Sequence, residues 1–176
     1  MIEKRQIKIS YNTKEIVLKV TQIVGNIFHD SKFMQLKNSG AEILSVSRAE
    51  LEKNRLRKTT NLGTDVGLIL DTGRHLHNGD VIQDGEKTII VEQTPEKVIA
   101  LRVKRESDDL RFLVGHIIGN RHRPIAIDSG VVYFPIQAES ELEVFRRLFS
   151  DIVEDLELSV EERIFVPHLG ANVHEH

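Results

Sequence analysis

The sequence of 176 residues predicts an α+β fold in two parts, and three observations support this prediction. Short β-branched segments dominate residues 1–92, which predicts a β-rich N-terminal domain. Turn-forming residues interrupt the pattern at residues 92–96, where we expect a linker. Beyond it, two amphipathic helical segments alternate with strands, which predicts a second domain over residues 97–167 and a flexible tail over residues 168–176.

Composition excludes several classes of protein. Hydrophobic residues make up 40% and charged residues 29%, as in ordinary soluble domains, and the net charge of −3 argues against nucleic-acid or anionic-membrane binding. No apolar run is long enough to span a bilayer and no signal peptide opens the chain, so we expect a cytoplasmic protein. Cysteine is absent, which excludes disulfides and thiolate metal sites. A tight metal site would therefore use imidazole and oxygen ligands.

The N-terminal domain shows strand patterns separated by turns. Asp84-Gly85-Glu86 is a hairpin signal between two of them. A basic run separates two other strands, and we interpret it as a solvated surface; the alternative is a docking face for an acidic partner segment. The predicted strands are Gln6–Ile9, Glu15–Val20, Val66–Leu70, Asp80–Gln83 and Lys87–Val91, and the basic residues are Lys53, Arg55, Arg57 and Lys58.

The second domain shows the order βαββαβ, which predicts a ferredoxin-like C-terminal domain with both helices on one face of an antiparallel sheet. Ser140 and Glu143 have the spacing of a capping box at the start of the second helix, which we expect to end near Leu156. The predicted elements are a strand at Val98–Val103, a helix at Ser107–Ile118, strands at Ile125–Ile127 and Val131–Phe134, a helix at 140–156 and a strand at Arg163–Val166.

The turn Gly119-Asn120-Arg121-His122-Arg123-Pro124 follows the first of these helices. Gly119 or Asn120 can adopt the left-handed conformation that ends a helix, so His122 is expected just outside the core. Phe112 and His116 lie opposite the apolar stripe, where a symmetric partner could pack and bring two copies of His122 together. A metal site between subunits is one hypothesis; ordinary exposed histidines are the simpler one from these residues alone. The apolar stripe comprises Leu110, Leu113, Val114, Ile117 and Ile118.

Other histidines are candidates for metal binding. His174 and His176 flank Glu175 in the tail, where mobile imidazoles can enclose a cation. His75 and His77 stand two residues apart and would face one side of an extended segment, although we favour an exposed loop there. His29 lies in a predicted turn, and we assign it no role.

Several segments between residues 19 and 171 together resemble the urease accessory nickel chaperones, the UreE family. The Gly-Asn-Arg-His turn, with Pro124 shortly after it, is the most specific of these segments. The others are Val24–Ile27, Arg55–Thr60 with Gly63, Val66-Gly67-Leu68, Gly79-Asp80-Val81, and Phe165-Val166-Pro167 with Gly170-Ala171.

The resemblance implies a nickel metallochaperone that dimerises through its C-terminal domain and delivers Ni²⁺ during urease maturation. It also implies that the N-terminal domain, residues 1–92, binds a partner or peptide. His122 from each of two subunits would hold one ion, with His174, His176 and His168 from the tail as further ligands. The implied partners are the urease apoprotein and its accessory proteins, including a GTPase, and Zn²⁺ or Cu²⁺ are further ions that such a site could hold. Many family members have a histidine at the position of Ile117, whereas this chain has His116 beside it.

Two rival functions come from other classes. The order βαββαβ is also that of RNA-binding modules, but these stack bases on aromatic strand residues, and aromatic residues make up only 5% of this chain. No nucleophile with an adjacent base and no convincing carboxylate pair points to an enzyme. We therefore expect a carrier rather than a catalyst.

Overall fold

The computed structural model describes residues 18–85 and 87–168. It separates into an N-terminal unit, Met1–Ser45 with Glu50–Glu92, and a C-terminal unit, Val46–Ala49 with Gln93–His176. The predicted strand Gln6–Ile9 and the first part of Glu15–Val20 lie outside the described residues. Strands outweigh helices, so the predicted α+β class is confirmed. Within the described ranges, no helix combines the length and apolar character needed to cross a bilayer.

The N-terminal unit is built from two sheets. The first has the strand order β1-β5-β4 and the second the order β2-β6-β7-β3. The predicted hairpin is present as antiparallel β6 and β7, with Asp84 paired to Lys87. The strands are β1 (Leu18–Val20), β2 (Ile23–Asn26), β3 (Glu42–Val46), β4 (Arg55–Thr59), β5 (Asp65–Ile69), β6 (Asp80–Asp84) and β7 (Lys87–Gln93), accompanied by a 3₁₀ turn (Leu36–Ser39) and a short helix α1 (Arg48–Leu51).

The basic run falls on β4 and the residues just before it, at the edge of the first sheet. The Arg57 guanidinium donates to the Asp65 carboxylate, and the Lys58 ammonium donates to Glu50 at 2.6 Å. Arg57 is exposed, whereas Leu56 beside it is partly buried, as expected for a strand with one solvated face. These ion pairs favour the solvated-surface interpretation of the run.

The C-terminal unit has the predicted order βαββαβ, and its four-stranded sheet has the order β11-β8-β10-β9. Every neighbouring pair of strands is antiparallel, which is the ferredoxin-like arrangement, so this prediction is confirmed. The elements are β8 (Glu96–Val103), α2 (Asp108–Gly119), β9 (Ala126–Asp128), β10 (Val131–Pro135), α3 (Glu141–Leu148), a 3₁₀ turn (Val153–Asp155) and β11 (Leu156–Arg163). Because β7 ends at Gln93 and β8 begins at Glu96, the predicted linker shrinks to Thr94 and Pro95.

The end of this unit differs from the prediction. Helix α3 stops at Leu148, and the closing strand is Leu156–Arg163 instead of Arg163–Val166. Phe145, Phe149, Ile152 and Leu156 fit a helical spacing, but residues 156–160 also alternate between inward apolar and outward polar side chains. Pairing of this stretch along the whole of β8 satisfies its backbone as a strand.

The predicted capping box at Ser140 is also absent. Ser140 has helical dihedrals, with φ −60° and ψ −19°, and its side chain caps nothing. The Glu141 carboxylate instead accepts hydrogen bonds from the backbone N–H of Gln137 at 2.6 Å and of Ala138 at 3.3 Å. These N–H groups precede the helix, so Glu141 stabilises the turn that leads into α3 instead of capping the helix itself.

The core of the C-terminal unit lies between the two helices and the sheet. Phe134 of β10 contacts Phe145 of α3 with ring centroids 4.6 Å apart. The centroids of Phe145 and Phe149 are 6.3 Å apart. Ile99 and Leu101 of β8 are fully buried in the same cluster. Each such side chain contributes about 1.5–3 kcal/mol by its burial, so this core fixes the position of α2 and of the turn that follows it.

Candidate metal centre

Helix α2 forms for the reasons that its sequence predicts. The Ser107 hydroxyl accepts a hydrogen bond from the Leu110 N–H at 3.3 Å, and Asp108 and Asp109 occupy the positive end of the helix dipole. Leu110, Val114 and Ile118 are buried. Leu113 was expected in the same apolar stripe, but its side chain is 41% exposed. The helix therefore rests on the core along a narrower stripe than predicted.

The turn after α2 ends the helix at a different residue from the one expected. Asn120 retains right-handed dihedrals, and His122 itself adopts the left-handed conformation with φ 51°. The His122 N–H donates to the Gly119 carbonyl at 2.9 Å, which closes the turn. A residue other than glycine in this conformation costs about 1 kcal/mol. His122 is therefore exposed and held in a left-handed backbone conformation that residues other than glycine do not favour.

Arg123 ties the turn to the start of α3. Its guanidinium donates to the Glu141 carboxylate at 2.5 Å and to the Pro135 carbonyl at 3.4 Å. Both charged side chains are mostly covered, at 27% and 22% exposure. A partly buried, charge-assisted pair restrains the residue next to His122, so the imidazole projects from a fixed base.

His168 is distant from this turn in sequence, but its backbone contacts the segment that follows the turn. Its backbone N–H donates to the Ile125 carbonyl at 2.9 Å, three residues after His122. Its side chain is exposed. The hydrogen bond places the start of the predicted tail beside the residues that follow the turn. His174 and His176 themselves lie outside the described residues.

His116 occupies the last turn of α2 and is already engaged. Its Nε2 lies 3.0 Å from the Asn120 side-chain amide nitrogen, which can only donate. In this arrangement Nε2 accepts and the ring proton sits on Nδ1. A metal ion could bind His116 through Nε2 only after this hydrogen bond breaks.

The exposed face of α2 combines one large apolar side chain with small residues. Phe112 is 81% exposed. Gly115, His116 and Gly119 follow it at helical spacings of three, four and seven, so all four residues share one face. A Cβ atom added at Gly115 or Gly119 would contact no neighbouring residue. Another backbone could therefore approach this face closely.

The candidate ligands do not form a complete site in one chain. Among residues 18–85 and 87–168, no three histidine, aspartate or glutamate side chains converge as a metal site would require. His116, His122 and His168 are accordingly not assembled into one cluster. The assignment of these residues as ligands remains a prediction.

A closer pair of imidazoles occurs in the N-terminal unit. The rings of His75 and His77 lie with their centroids 4.7 Å apart. In an extended segment, the spacing of two residues places both rings on one side. The exposed loop that we favoured from the sequence did not predict that the rings would lie so close together.

Three carboxyl groups whose pKa values are lowered belong to surface ion pairs. In each case a hydrogen bond from a neighbouring cation is the largest cause and holds the pKa of the carboxyl group below its usual range. The pairs are Asp65 with Arg57, Glu139 with Lys97, and Asp155 with Arg105. A general acid needs a raised pKa, so these pairs do not resemble catalytic machinery.

Comparisons with known proteins identify the family. Residues 20–93 match the model of the UreE urease accessory protein, N-terminal domain. The protein named urease accessory protein UreE of Yersinia bercovieri is 30% identical over 131 residues, which cover 68% of this chain and 58% of that protein. The protein of the same name from Natronomonas pharaonis is 29% identical over 143 residues, covering 76% of this chain and 64% of that protein. The matched region spans less than two thirds of either relative. These matches confirm the resemblance that the sequence segments indicated. The chain belongs to the UreE family of urease accessory proteins.

Proposed function

We propose that the protein is a nickel metallochaperone, which binds Ni²⁺ as cargo through histidines at a homodimer interface and delivers it for assembly of the urease active site. Membership of the UreE family supports a role in urease maturation. The observation that carries the finer proposal is His122, an exposed imidazole in a left-handed backbone conformation at the end of α2. Strained residues of this kind concentrate at functional sites.

The exposed face of α2 supports a symmetric contact. Phe112 would leave water when a second copy packs against it, and Gly115 and Gly119 allow the two backbones to approach. In a twofold contact the same residues lie on both sides of the axis, so a pair of α2 helices would bring two copies of His122 toward each other. His116 would then lie within the contact and could add a ligand on leaving Asn120.

The tail after His168 is long enough to reach His122. His174 follows His168 by six residues, and an extended chain of this length spans about 20 Å. His168 is anchored by its hydrogen bond to Ile125, close to His122 along the chain. A chain of this length would allow His174 and His176 to reach His122 and complete the coordination sphere.

Such a site suits a carrier better than a permanent metal centre. Imidazole is a good ligand for Ni²⁺, and a chain without cysteine avoids thiolates that would retain zinc or copper(I). Two imidazoles on the axis leave coordination positions for tail histidines and water. A recipient protein could enter through these positions and take the ion by ligand exchange, without its release into solution.

The proposed partners follow from the family. They are a second copy of this chain, the urease apoprotein and the urease accessory proteins, including the GTPase, in the cytoplasm. The protein would act as a carrier without catalytic activity of its own. These partners would compete for one ion, so delivery needs an acceptor whose site binds Ni²⁺ more tightly.

An RNA-binding function is not favoured. Tyr133 is the aromatic residue on the sheet face opposite the two helices, and the Arg163 guanidinium covers its ring at 3.7 Å. Val98 and Ala100 on the same face are buried, at 0% and 6% exposure. Base stacking requires accessible aromatic rings on these strands, and the described residues do not provide them.

Isothermal titration with Ni²⁺ tests the proposal. His122→Ala should weaken tight nickel binding by about a hundredfold or more, because a symmetric site loses two ligands at once. A variant lacking His174 and His176 should be weakened less. His29→Ala, which removes an exposed histidine from the N-terminal unit, is the control and should bind nickel as the parent does. Undiminished tight binding by His122→Ala would overturn the site assignment.

A further inference from the structure

The loop between Gly73 and Gly79 carries two neighbouring imidazoles. The ring centroids of His75 and His77 are 4.7 Å apart and the ring planes are inclined at 46°. Both histidines are exposed, whereas Leu76 between them is only 1% exposed. This alternation is that of an extended chain, in which residues two apart project to the same side.

Backbone hydrogen bonds from Leu76, His77 and Gly79 hold the loop in place. The Leu76 N–H donates to the Leu51 carbonyl at 2.9 Å, and the Gly79 N–H donates to the Val91 carbonyl at 2.8 Å. The His77 N–H donates to the Asp80 carboxylate at 2.7 Å. The backbone beneath the two rings is therefore ordered before any ligand arrives, which lowers the entropy cost of binding.

The spacing of the rings matches that of two imidazoles on one metal ion. A metal–nitrogen bond of about 2.1 Å places each ring centroid about 3.2 Å from the ion. Ligand angles between about 90° and 109°, octahedral to tetrahedral, then separate the centroids by about 4.5 to 5.2 Å. The observed 4.7 Å lies within this range, and exposed rings can turn to direct their nitrogens at one point.

Asp80 holds the backbone of His77. It is 5% exposed, its Oδ1 accepts from the Asn26 side chain at 2.9 Å, and its Oδ2 accepts from the His77 N–H at 2.7 Å. Nδ1 of His77 lies 3.7 Å from Oδ2, which is too far for a hydrogen bond. Asp80 therefore positions the His77 backbone and leaves the exposed imidazole able to turn toward a metal ion.

We propose that His75 and His77 form a second metal site, contained in one subunit, for a borderline divalent cation such as Ni²⁺, Cu²⁺ or Zn²⁺. Two protein ligands leave the other positions to water, so the ion exchanges rapidly and binds more weakly than at a site with more imidazoles. The site needs neither a second chain nor His122, and it therefore extends the proposed function without resting on it.

Proton NMR of the histidine ring signals in a full-length His122→Ala variant tests this site with Ni²⁺ alone. At low nickel concentrations, the paramagnetic ion should broaden the Hε1 signals of His75 and His77 before that of His29, an exposed histidine of the same unit. Mg²⁺, which prefers oxygen ligands, should leave all three signals unchanged.

A single substitution distinguishes chelation from independent binding. In His75→Gln, His77 should lose at least about tenfold in nickel affinity and respond like His29, because the second imidazole no longer binds intramolecularly. The site is disproved if His77 broadens as strongly in His75→Gln as in its parent, or if His75 and His77 never respond ahead of His29. Tight nickel binding by His122 in the unsubstituted protein is measured separately, so either proposal can fail alone.

Discussion

Two of the turns that present histidines to solvent do so in different ways. The loop bearing His75 and His77 brings two imidazoles to 4.7 Å within one chain, on a backbone held by hydrogen bonds. The turn after α2 presents the single imidazole of His122, at a cost in backbone strain. In our proposals, the first turn binds a cation within one chain, whereas the second becomes a site only when other ligands join it. A carrier benefits from this difference, because an incomplete site opens when its additional ligands leave.

The largest loss of folding stability expected for a single substitution tests the rigidity of the His75–His77 loop. A Cβ atom at Gly79 would lie 2.4 Å from the Phe28 ring and must also accept φ +85°. Gly79→Ala should therefore lower the free energy of unfolding by about 2 kcal/mol. Gly73→Ala is the matched control, since φ is +84° but nothing lies near its Cβ, and it should cost about 1 kcal/mol. Equal losses in urea unfolding would mean that Phe28 does not restrain the loop.

The next effect tests whether the His122 turn depends on a second copy. Phe112→Asp places a charge in the exposed face of α2 and should weaken self-association by about tenfold or more, while the folded monomer keeps its stability. Leu62→Asp, which changes a residue of the N-terminal unit that is 69% exposed, is the control. Sedimentation equilibrium measures both. If the Phe112 variant associates like the parent, the dimer uses another surface.

A smaller effect isolates the strain at His122. Glycine adopts a φ of 51° readily and alanine does not, so His122→Gly should exceed His122→Ala in unfolding free energy by about 1 kcal/mol. Both variants should lack tight nickel binding. Thermal or urea unfolding in the absence of metal makes the comparison, and an alanine variant as stable as the glycine variant would show that the backbone at this position is not strained.

The smallest effect concerns β4, the edge strand of the first sheet. Arg57 holds the pKa of Asp65 below its usual range by a hydrogen bond, so the pair stabilises the fold above the unfolded pKa of about 4. This contribution is lost as pH falls through the lower folded-state pKa. Arg57→Gln should therefore lower the melting temperature slightly at pH 7, and the difference from the parent should vanish once pH falls below the folded-state pKa of Asp65. A difference that persisted in acid would point to packing by the Arg57 side chain.

Sequence periodicity predicted the elements around the His122 turn well, because each depends on local pattern. Ser107, Leu110, Val114 and Ile118 specify α2 by capping and spacing alone. Leu156 was misassigned to α3 because its spacing from Phe149 and Ile152 also fits a helix, and only pairing with β8 decides between the two. Such pairing is a long-range property that a local pattern does not contain.

The candidate sites show the same limit. The exposed position of His122 followed from the end of α2, but the left-handed residue was expected at Gly119 or Asn120. The spacing of His75 and His77 indicated that both would face one side of an extended segment, but the hydrogen bonds that order their loop come from Leu51 and Val91, which are distant in sequence. A histidine pair is visible in a sequence, whereas the backbone that makes it a chelate is not.

Native mass spectrometry with half an equivalent of Ni²⁺ per chain tests the central claim most directly, since it counts chains and ions in one particle. We predict a dimer that carries one nickel ion in the parent protein, and loss of that ion in His122→Ala. Nickel found mainly on single chains, or retained equally by the His122→Ala dimer, would contradict a site shared between two copies of His122.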